Sequence, residues 1–322
     1  MKKSTKIWLI VAAALCGAGI LLLGAAWAMV GLGFTPPEMP VYEVNTSELT
    51  GEFTRISIVT DTADVILVPT DEDNCRVVCR ETKKVYHTVA VMDGTLVIEV
   101  ADERAWYEHI YFFGFESPRV TVYLPKREYD TLSVTVDTGH TEIPDDFTFG
   151  SVRVDGGTGN VNCRATVREQ ADMAVSTGNI TLDSLTAGSL RLEVSTGDIC
   201  LDRVSCAGDL HMTVSTGKIT LTDVTCKTLT TKGTTGDVRL SNVLADTRLY
   251  IERDTGDVTL DSCDAPAIQI ETSTGDVTAT LRTSKIFTAH SNTGFVHKPP
   301  NGTEGSCDVN TDTGRIRIEV IP

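Results

Sequence analysis

The chain has 322 residues and a formal net charge of −16, which is enough length for one large domain or two ordinary ones. This acidic balance, without a basic patch in the sequence, excludes nucleic acid as the expected partner because its phosphates would be repelled. Anionic membrane surfaces and wall polymers would be repelled as well unless a cation bridged them.

The chain starts with a basic tip and an apolar segment. Residues 7–34 carry no charge, and about 20 apolar residues are enough to span a bilayer as a helix. We therefore expect residues 1–34 to form a cytoplasmic tip and a single-pass transmembrane anchor, with the lipid bilayer contacted through residues 7–30. The first lysines should keep the N-terminus in the cytoplasm and place the rest of the chain outside the bacterial cell membrane. Ala26-Trp27-Ala28 resembles a cleavage site, so removal of the segment remains an alternative.

A proline-containing linker, residues 35–52, and a β-rich region, residues 53–130, come next. Ile58–Leu67 matches the pattern of the repeats that follow, with Ala63 in place of a glycine, and this predicts a degenerate first rung. A hairpin is expected to turn at Asp93-Gly94, a dipeptide that favours tight turns.

The β-rich region also contains a loop rich in aromatic residues. Every solenoid needs a cap over its open end, and the loop is predicted to be this cap. If its rings are exposed instead, they are candidates for binding a sugar ring, a partner protein or the membrane interface. The aromatic residues of the loop are Trp106, Tyr107, Tyr111, Phe112, Phe113 and Phe115.

Residues 131–322 carry a Thr-Gly repeat with a spacing of 19 or 20 residues, and a period this strict indicates a solenoid. Apolar residues alternate with polar ones on both sides of each glycine, as in strands with one buried face. The predicted fold is all-β, a parallel β-solenoid (β-helix) whose successive rungs pair about 4.8 Å apart, preceded by one transmembrane helix. Parallel crossovers favour right-handed winding, and a left-handed solenoid remains open. The repeated glycines are Gly139, Gly159, Gly178, Gly197, Gly217, Gly236, Gly256, Gly275, Gly294 and Gly314.

Two enzyme classes conflict with this repeat pattern. Asp137, Asp254 and Asp312 each begin an Asp-Thr-Gly motif like that of aspartic proteases, but other repeats have Gly, Ser, Thr or Asn before the threonine. A catalytic dyad needs two special carboxylates, so the motif is interpreted as a turn. A polysaccharide-cleaving β-helix would use carboxylates about 5–9.5 Å apart and would need walls around a cleft. The uniform rungs leave no room for such walls, so no enzyme is predicted.

An acidic column directly after the glycines is the candidate for metal binding. Asp237, Asp257 and Asp276 should stack one rung apart, and such carboxylates repel each other or recruit a cation such as Ca²⁺. The alternative is that Asp follows Gly because it suits turns. No metal and no cofactor are expected, and these three residues are the ones that would hold a metal.

The cysteines give one candidate pair. Cys206 and Cys226 each lie nine residues after a glycine, so they should stack on adjacent rungs within reach of a disulfide. Cys163 and Cys307 fall in apolar columns and are predicted to be buried thiols. No cysteine is paired with a histidine at a recognisable spacing, so a Cys–His or metal site is not indicated.

Several stretches together resemble a known family. They are the K-I-W-L-I-V start, the segment I-S-I-V-T-D-T-A-D-V-I-L-V-P, the aromatic loop beginning W-Y, the strand V-T-V-Y-L-P-K and the serial S-T-G-D-I repeats. This combination, over nearly the whole chain, resembles the bacterial putative-adhesin β-strand-repeat family, the domain of unknown function numbered 4097. The resemblance implies a Gram-positive, clostridial envelope protein and supplies no catalytic residues.

The sequence therefore predicts a non-catalytic, membrane-anchored, extracytoplasmic β-solenoid that acts in cell-envelope interaction, adhesion or scaffolding. Its partner would be an envelope protein or a wall glycan. One alternative is an accessory component of envelope-stress sensing, and a second is a polysaccharide-active β-helix enzyme.

Overall fold

The structure is a computed structural model that describes residues 12, 14–25, 28, 41–104 and 118–321. The chain divides into two compact units, Met1–Val41 and Tyr42–Pro322. In the first unit, residues 14–25 are helical. None of the helical residues that the structure describes forms a helix long and apolar enough to cross a bilayer. Residues 7–11, 13, 26–27 and 29–34 of the predicted anchor lie outside the described residues, so the anchor stays a prediction.

The described residues of the second unit form 26 strands, numbered in chain order. The strands of the N-terminal part are β1 (Tyr42–Leu49), β2 (Arg55–Thr60), β3 (Asp64–Thr70), β4 (Cys75–Thr82), β5 (Val85–Met92), β6 (Thr95–Asp102) and β7 (Arg119–Pro125). The strands of the regular rungs are β8 (Glu128–Thr138), β9 (Thr141–Ile143), β10 (Thr148–Thr158), β11 (Val161–Cys163), β12 (Thr166–Thr177), β13 (Ile180–Asp183), β14 (Thr186–Thr196), β15 (Ile199–Asp202), β16 (Ser205–Cys206), β17 (Asp209–Thr216), β18 (Ile219–Thr235), β19 (Val238–Thr255), β20 (Val258–Cys263), β21 (Ala267–Thr274) and β22 (Val277–Leu281). The last strands are β23 (Ile286–Thr293), β24 (Val296–His297), β25 (Ser306–Thr313) and β26 (Ile316–Val320).

The regular rungs form a parallel β-solenoid of about ten turns, which confirms the predicted all-β fold. In most rungs a long strand leads into the Thr-Gly corner and a short strand follows it, as in β12, Gly178 and β13, whereas β18 and β19 each run from one corner to the next. Corresponding residues of neighbouring rungs lie side by side, so that Met173 pairs with Leu192 and Leu192 pairs with Met212. These inward-facing side chains are buried, and their columns form one continuous core.

The Thr-Gly corner requires glycine for two reasons. Gly178 has a φ of +140°, a region that residues with a Cβ rarely adopt. A Cβ at Gly178 would also lie only 1.8 Å from the carbonyl oxygen of Gly159 in the preceding rung. The N–H of each corner glycine donates to the carbonyl of the threonine one rung further on, as from Gly159 to Thr177 at 2.9 Å. The corners therefore stack directly on one another and fix the register of the rungs.

A second corner, six residues after the glycine, escaped the sequence analysis. Five successive rungs place a non-glycine residue there with a φ between 53° and 57°, in the left-handed region. Short polar side chains tolerate this region best, which fits four of the five positions. The residues are Ser184, Arg203, Asp223, Asn242 and Ser262.

The N-terminal end of the solenoid starts with a rung made by β2 and β3. Its corner carries Ala63, and the carbonyl oxygen of Ala63 lies beneath Gly139. β6 and β7 continue the parallel stacking on β2 and β3, and beyond them the pairing becomes antiparallel. β5 pairs with β6 through the turn at Asp93-Gly94, and β4 pairs with β7 and β1. Antiparallel strands thus form the outermost layers at this end.

The order of the rungs at the C-terminal end corrects an expectation. Successive rungs were predicted to pair, but β25 lies between β21 and β23, and β26 lies between β22 and β24. The last rung in the chain is therefore inserted before the preceding one. The inserted rung buries apolar residues such as Val309 and Ile318 against both neighbours. The displaced rung has Lys298 in an apolar column and a largely exposed Phe295, so it suits the end of the stack.

A buried lysine holds this order in place. Lys285, only 1% exposed, directly precedes β23. Its Nζ lies 2.7 Å from Oδ1 of Asp264, a residue shortly before β21. The same Nζ donates at 3.0 Å to the carbonyl oxygen of Glu304, a residue shortly before β25. The ammonium group therefore bridges the three rungs in the order that the sheet pairing shows.

We predict that Gly178→Ala lowers the free energy of unfolding by about 3 kcal/mol or more, because the clash is with backbone and the φ is unfavourable. The matched control is Gly156→Ala. Its added Cβ would meet a valine methyl group at 3.4 Å, which is ordinary contact, and its φ is not in the left-handed region. Guanidinium unfolding followed by circular dichroism compares the two midpoints. Equal midpoints for the two variants would contradict the stacked corner.

Candidate functional site

The outer face of the long sheet is a regular surface along the rungs. It is built by β8, β10, β12, β14, β17, the last parts of β18 and β19, β21, β25 and β23. Two separate shallow grooves lie at positions two to four residues before the corner glycines. The first, near the N-terminal rungs, is a stretch of about 330 Å³, and the second, near the C-terminal rungs, is a stretch of about 290 Å³. The second stretch, named the C-terminal groove, is lined among others by Glu252, Asp254, Glu271, Ser273, His290 and Asp312.

A tyrosine organises the polar side chains at the edge of the C-terminal groove. The hydroxyl of Tyr250 donates to Glu252 Oε2 at 3.0 Å and lies 3.3 Å from Glu271 Oε2. Lys232 Nζ lies 2.7 Å from Glu252 Oε2. Burial, together with the two carboxylates, raises the pKa of Tyr250 to about 12. The hydrogen bonds from Lys232 and Tyr250 lower the pKa of Glu252.

The network continues across the next rung. Gln269 Nε2 donates to Glu271 Oε1 at 2.6 Å, and Arg248 Nη2 donates to Gln269 Oε1 at 2.6 Å. The guanidinium carbon of Arg248 lies 4.8 Å from the centre of the Tyr250 ring. These contacts hold the side chains in fixed positions, so the groove presents an ordered acidic surface with an aromatic ring at its edge.

A buried arginine lies beneath this groove. Arg253 is 2% exposed, and its Nη1 donates to the carbonyl of Val214 at 3.0 Å. Its Nε and Nη2 have no hydrogen-bond partner among the described residues. A Cβ at Gly233 would come within 1.7 Å of Arg253 Nη1, so the guanidinium occupies the space that the glycine leaves. Burial lowers the pKa of Arg253 to about 10.

The side chains of the acidic column accept hydrogen bonds from backbone N–H groups. Asp257 Oδ1 accepts the backbone N–H of Asp276 at 2.8 Å, and Asp237 Oδ1 accepts that of Asp257 at 3.2 Å. Asp276 accepts the N–H and the side chain of Arg315, which lowers its pKa. Asn160, Asn179 and Asp198 do the same for their following rungs. Within the described residues, these carboxylates do not converge as a group of ligand atoms that could hold a metal.

The candidate cysteine pair is not bonded in the structure. Cys206 and Cys226 are free, buried thiols at equivalent positions of adjacent rungs. Cys206 Sγ lies 3.5 Å from the carbonyl oxygen of Gly208. Burial raises the pKa of Cys226 to about 12, as it does for Cys163 and Cys307, which are buried thiols as predicted.

The aromatic loop was predicted to be a cap or, if exposed, a binding surface. Trp106, Tyr107, Tyr111, Phe112, Phe113 and Phe115 lie outside the described residues, between β6 and β7. Both the cap and the binding role of this loop stay predictions.

A cluster that the sequence analysis missed lies at the N-terminal end. Cys79, Glu81 and His87 are brought together by β4 and β5, although no spacing motif marks them. Thr60 Oγ1 lies 2.9 Å from His87 Nε2, and Glu81 Oε2 lies 2.9 Å from His87 Nδ1. This chain of contacts has the order of a nucleophile, a base and an acid. The side chains of His87 and Glu81 are only 2% and 3% exposed, so a substrate has no access to them in this conformation.

We predict that Tyr250 ionises near pH 12, because burial and the adjacent carboxylates disfavour the phenolate. Since the folded-state pKa is raised, the associated stabilisation is present below pH 10 and is lost as the pH rises through about 12. The difference between the ultraviolet pH titrations of the wild type and Tyr250→Phe isolates this group. Glu252→Gln should shift the transition to lower pH. A Tyr250 transition near pH 10 in the folded wild type would refute the prediction.

The chain is similar to one family model and to solved structures. The family model described as Toastrack DUF4097 matches residues 53–214 and 207–297. No curated protein matches the chain. A crystal structure of a putative adhesin from Parabacteroides distasonis matches with 12% identity and a TM-score of 0.44, over 85% of this chain and 97% of that one. A putative lipid binding protein from the same species matches with 14% identity and a TM-score of 0.39, over 84% and 96%. A putative cell adhesion protein from Clostridium sporogenes matches with 10% identity and a TM-score of 0.22, over 87% and 100%.

The family model spans most of the solenoid, from the first rung at β2 to the displaced rung at β24. The chain belongs to the Toastrack DUF4097 family.

Proposed function

We propose that this chain is a non-catalytic binding scaffold of the bacterial cell envelope, held at the cell membrane by its N-terminal segment. It contacts an envelope protein or a wall glycan along the outer face of the long sheet. The observation that carries the proposal is the regularity of this face, where equivalent positions recur from rung to rung with the strand spacing of about 4.8 Å. An extended surface of this kind suits an extended partner.

The charge of the C-terminal groove narrows the chemistry of the partner. Glu252, Asp254, Glu271 and Asp312 line it, and the whole chain has a net charge of −16. Anionic wall polymers would be repelled from such a surface at low salt. The groove therefore favours a neutral glycan or a protein segment with basic side chains.

The exposed carboxylates support binding rather than catalysis. Asp183 and Asp202 are both paired with Arg203, and Asp223 accepts a hydrogen bond from Asn242. Glu271 is held by Tyr250 and Gln269. Polysaccharide hydrolysis needs one carboxyl with a raised pKa beside an ionised one. The carboxylates of this chain instead form hydrogen bonds and ion pairs with neighbouring side chains on a shallow surface.

We predict that reversing the charge of the groove weakens partner capture. The test is crosslinking of the tagged full-length protein on intact cells, followed by mass spectrometry. Asp254→Lys/Asp312→Lys changes two exposed groove residues and should lower capture of a specific partner about tenfold, equivalent to about 1.4 kcal/mol. The control, Asp209→Lys/Asp246→Lys, makes the same charge change at exposed positions outside the groove.

The outcomes separate the alternatives. Equal capture by the groove variant and the wild type would contradict binding through this groove. Equal loss in both double variants would show dependence on net charge alone. A captured membrane protein of a signalling system would favour the envelope-stress alternative over adhesion.

A further inference from the structure

We propose that Cys79, Glu81 and His87 form a Zn²⁺ site at the N-terminal end of the solenoid. Their ligand atoms all lie within 4.8 Å of one another, and in the described part of the chain no other group of at least three such side chains meets this condition. A thiolate, a carboxylate and an imidazole are ligands that Zn²⁺ accepts in tetrahedral sites. The fourth position would be taken by water.

The strand geometry explains why these residues converge. Cys79 and Glu81 are two residues apart in β4, so both point to its buried face, as the alternating burial of this strand shows. A tight turn follows, in which the N–H of Val85 donates to Thr82 Oγ1 at 3.1 Å. His87 in β5 then returns beside Glu81, and its backbone N–H donates to Glu81 Oε2 at 2.7 Å. The three ligands thus belong to one short stretch of chain.

The atoms around the ligands already have the arrangement that metal sites use. Zinc-bound histidines normally hydrogen-bond through their second ring nitrogen, which orients the ring. In this cluster Thr60 Oγ1 lies 2.9 Å from His87 Nε2, which leaves Nδ1 for the ion. Asn45 Nδ2 donates to Glu81 Oε1 at 2.7 Å, so the ion would bind Oε2, which also accepts the backbone N–H of His87. β2 and β1 therefore supply outer contacts to ligands on β4 and β5.

The distance between the histidine and glutamate ligand atoms requires only a small adjustment. His87 Nδ1 and Glu81 Oε2 are 2.9 Å apart. Two ligands about 2.1 Å from a tetrahedral Zn²⁺ lie about 3.4 Å from each other. An opening of about half an ångström would admit the ion, and the imidazole proton would then be on Nε2, from which it is donated to Thr60 Oγ1.

Charge balance favours a divalent ion at this buried position. Cys79 and Glu81 are each 2% exposed. Binding of Zn²⁺ would release the thiol proton, and the two anionic ligands would then neutralise the ion. The buried site is electrically neutral in that state, which avoids an unpaired buried charge.

Such an ion would stabilise the end of the solenoid. β5 pairs only with β6 among the described strands, and β1 pairs only with β4. Terminal strands open more easily than the interior of a repeat structure. A metal bound by β4 and β5, with outer contacts from β1 and β2, would hold both edges together.

The test uses Co²⁺ as a spectroscopic substitute for Zn²⁺ on the reduced, chelator-treated full-length protein. We expect one equivalent of Co²⁺ to bind, with a thiolate-to-cobalt charge-transfer absorption that Zn²⁺ displaces. Cys79→Ser should abolish this absorption. The matched control is Cys75→Ala, four residues before Cys79 on the same buried face of β4, and it should keep the absorption. Thr60→Val leaves the three ligands intact and should weaken binding about tenfold through loss of the outer contact.

Thermal unfolding provides a second readout. Zn²⁺ should raise the melting temperature of the wild type and of Cys75→Ala, and it should leave that of Cys79→Ser unchanged. Circular dichroism checks that each variant retains its β-structure. The absence of both a charge-transfer band and a Zn²⁺-dependent melting shift in the wild type would overturn the proposal. A band that persists in Cys79→Ser would overturn it as well, because the thiolate would then come from another cysteine.

Discussion

The contact between successive corner glycines is the constraint on which the rest of the structure depends. At the ten corners, a Cβ would lie between 1.8 and 2.4 Å from a carbonyl oxygen of the neighbouring rung, so no other residue fits without moving the backbone. This stack sets the register of each rung. Once the register is fixed, the alternation of each strand directs the apolar columns inward and aligns the polar columns on the outer faces. The regular surface that we propose for binding is thus a consequence of the corner.

The interior and the ends of the solenoid have different chemistry. Most inward positions of the regular rungs are apolar, and Arg253 is an exception whose guanidinium is accommodated by Gly233. The buried ionisable side chains with several partners lie where the regular stacking ends. Cys79, Glu81 and His87 lie at the N-terminal end, and Lys285 bridges the rungs at the C-terminal end. Terminal rungs cannot be stabilised by a neighbour on each side, and these polar contacts take the place of the missing neighbour.

The sequence was sufficient for the features that repeat and insufficient for those that depend on order or on distant pairing. The period located every Thr-Gly corner and the buried columns, and it identified a degenerate first rung with Ala63 in place of the glycine. A period carries no information on stacking order, so the inserted last rung was missed. The displaced rung did contain a signal, since Lys298 stands in an otherwise apolar column and Phe295 in an otherwise mostly polar one. The Cys79–Glu81–His87 cluster was missed because it forms between antiparallel strands outside the repeat. In the acidic column, the side chains accept backbone N–H groups of the neighbouring rung, a contact that the period alone does not reveal.

Pairwise cysteine crosslinking tests the corner-defined register most directly, because the glycine stack itself passes from Gly275 to Gly314 and then to Gly294. With the exposed Cys16 and Cys200 replaced by serine, we predict that Gln269→Cys/Asp308→Cys forms a disulfide on oxidation, since these outward residues are direct partners. Gln269→Cys/Thr288→Cys should not, because the two positions are two rungs, or about 10 Å, apart. Efficient bonding of the second pair and not of the first would show chain-order stacking and contradict the structure.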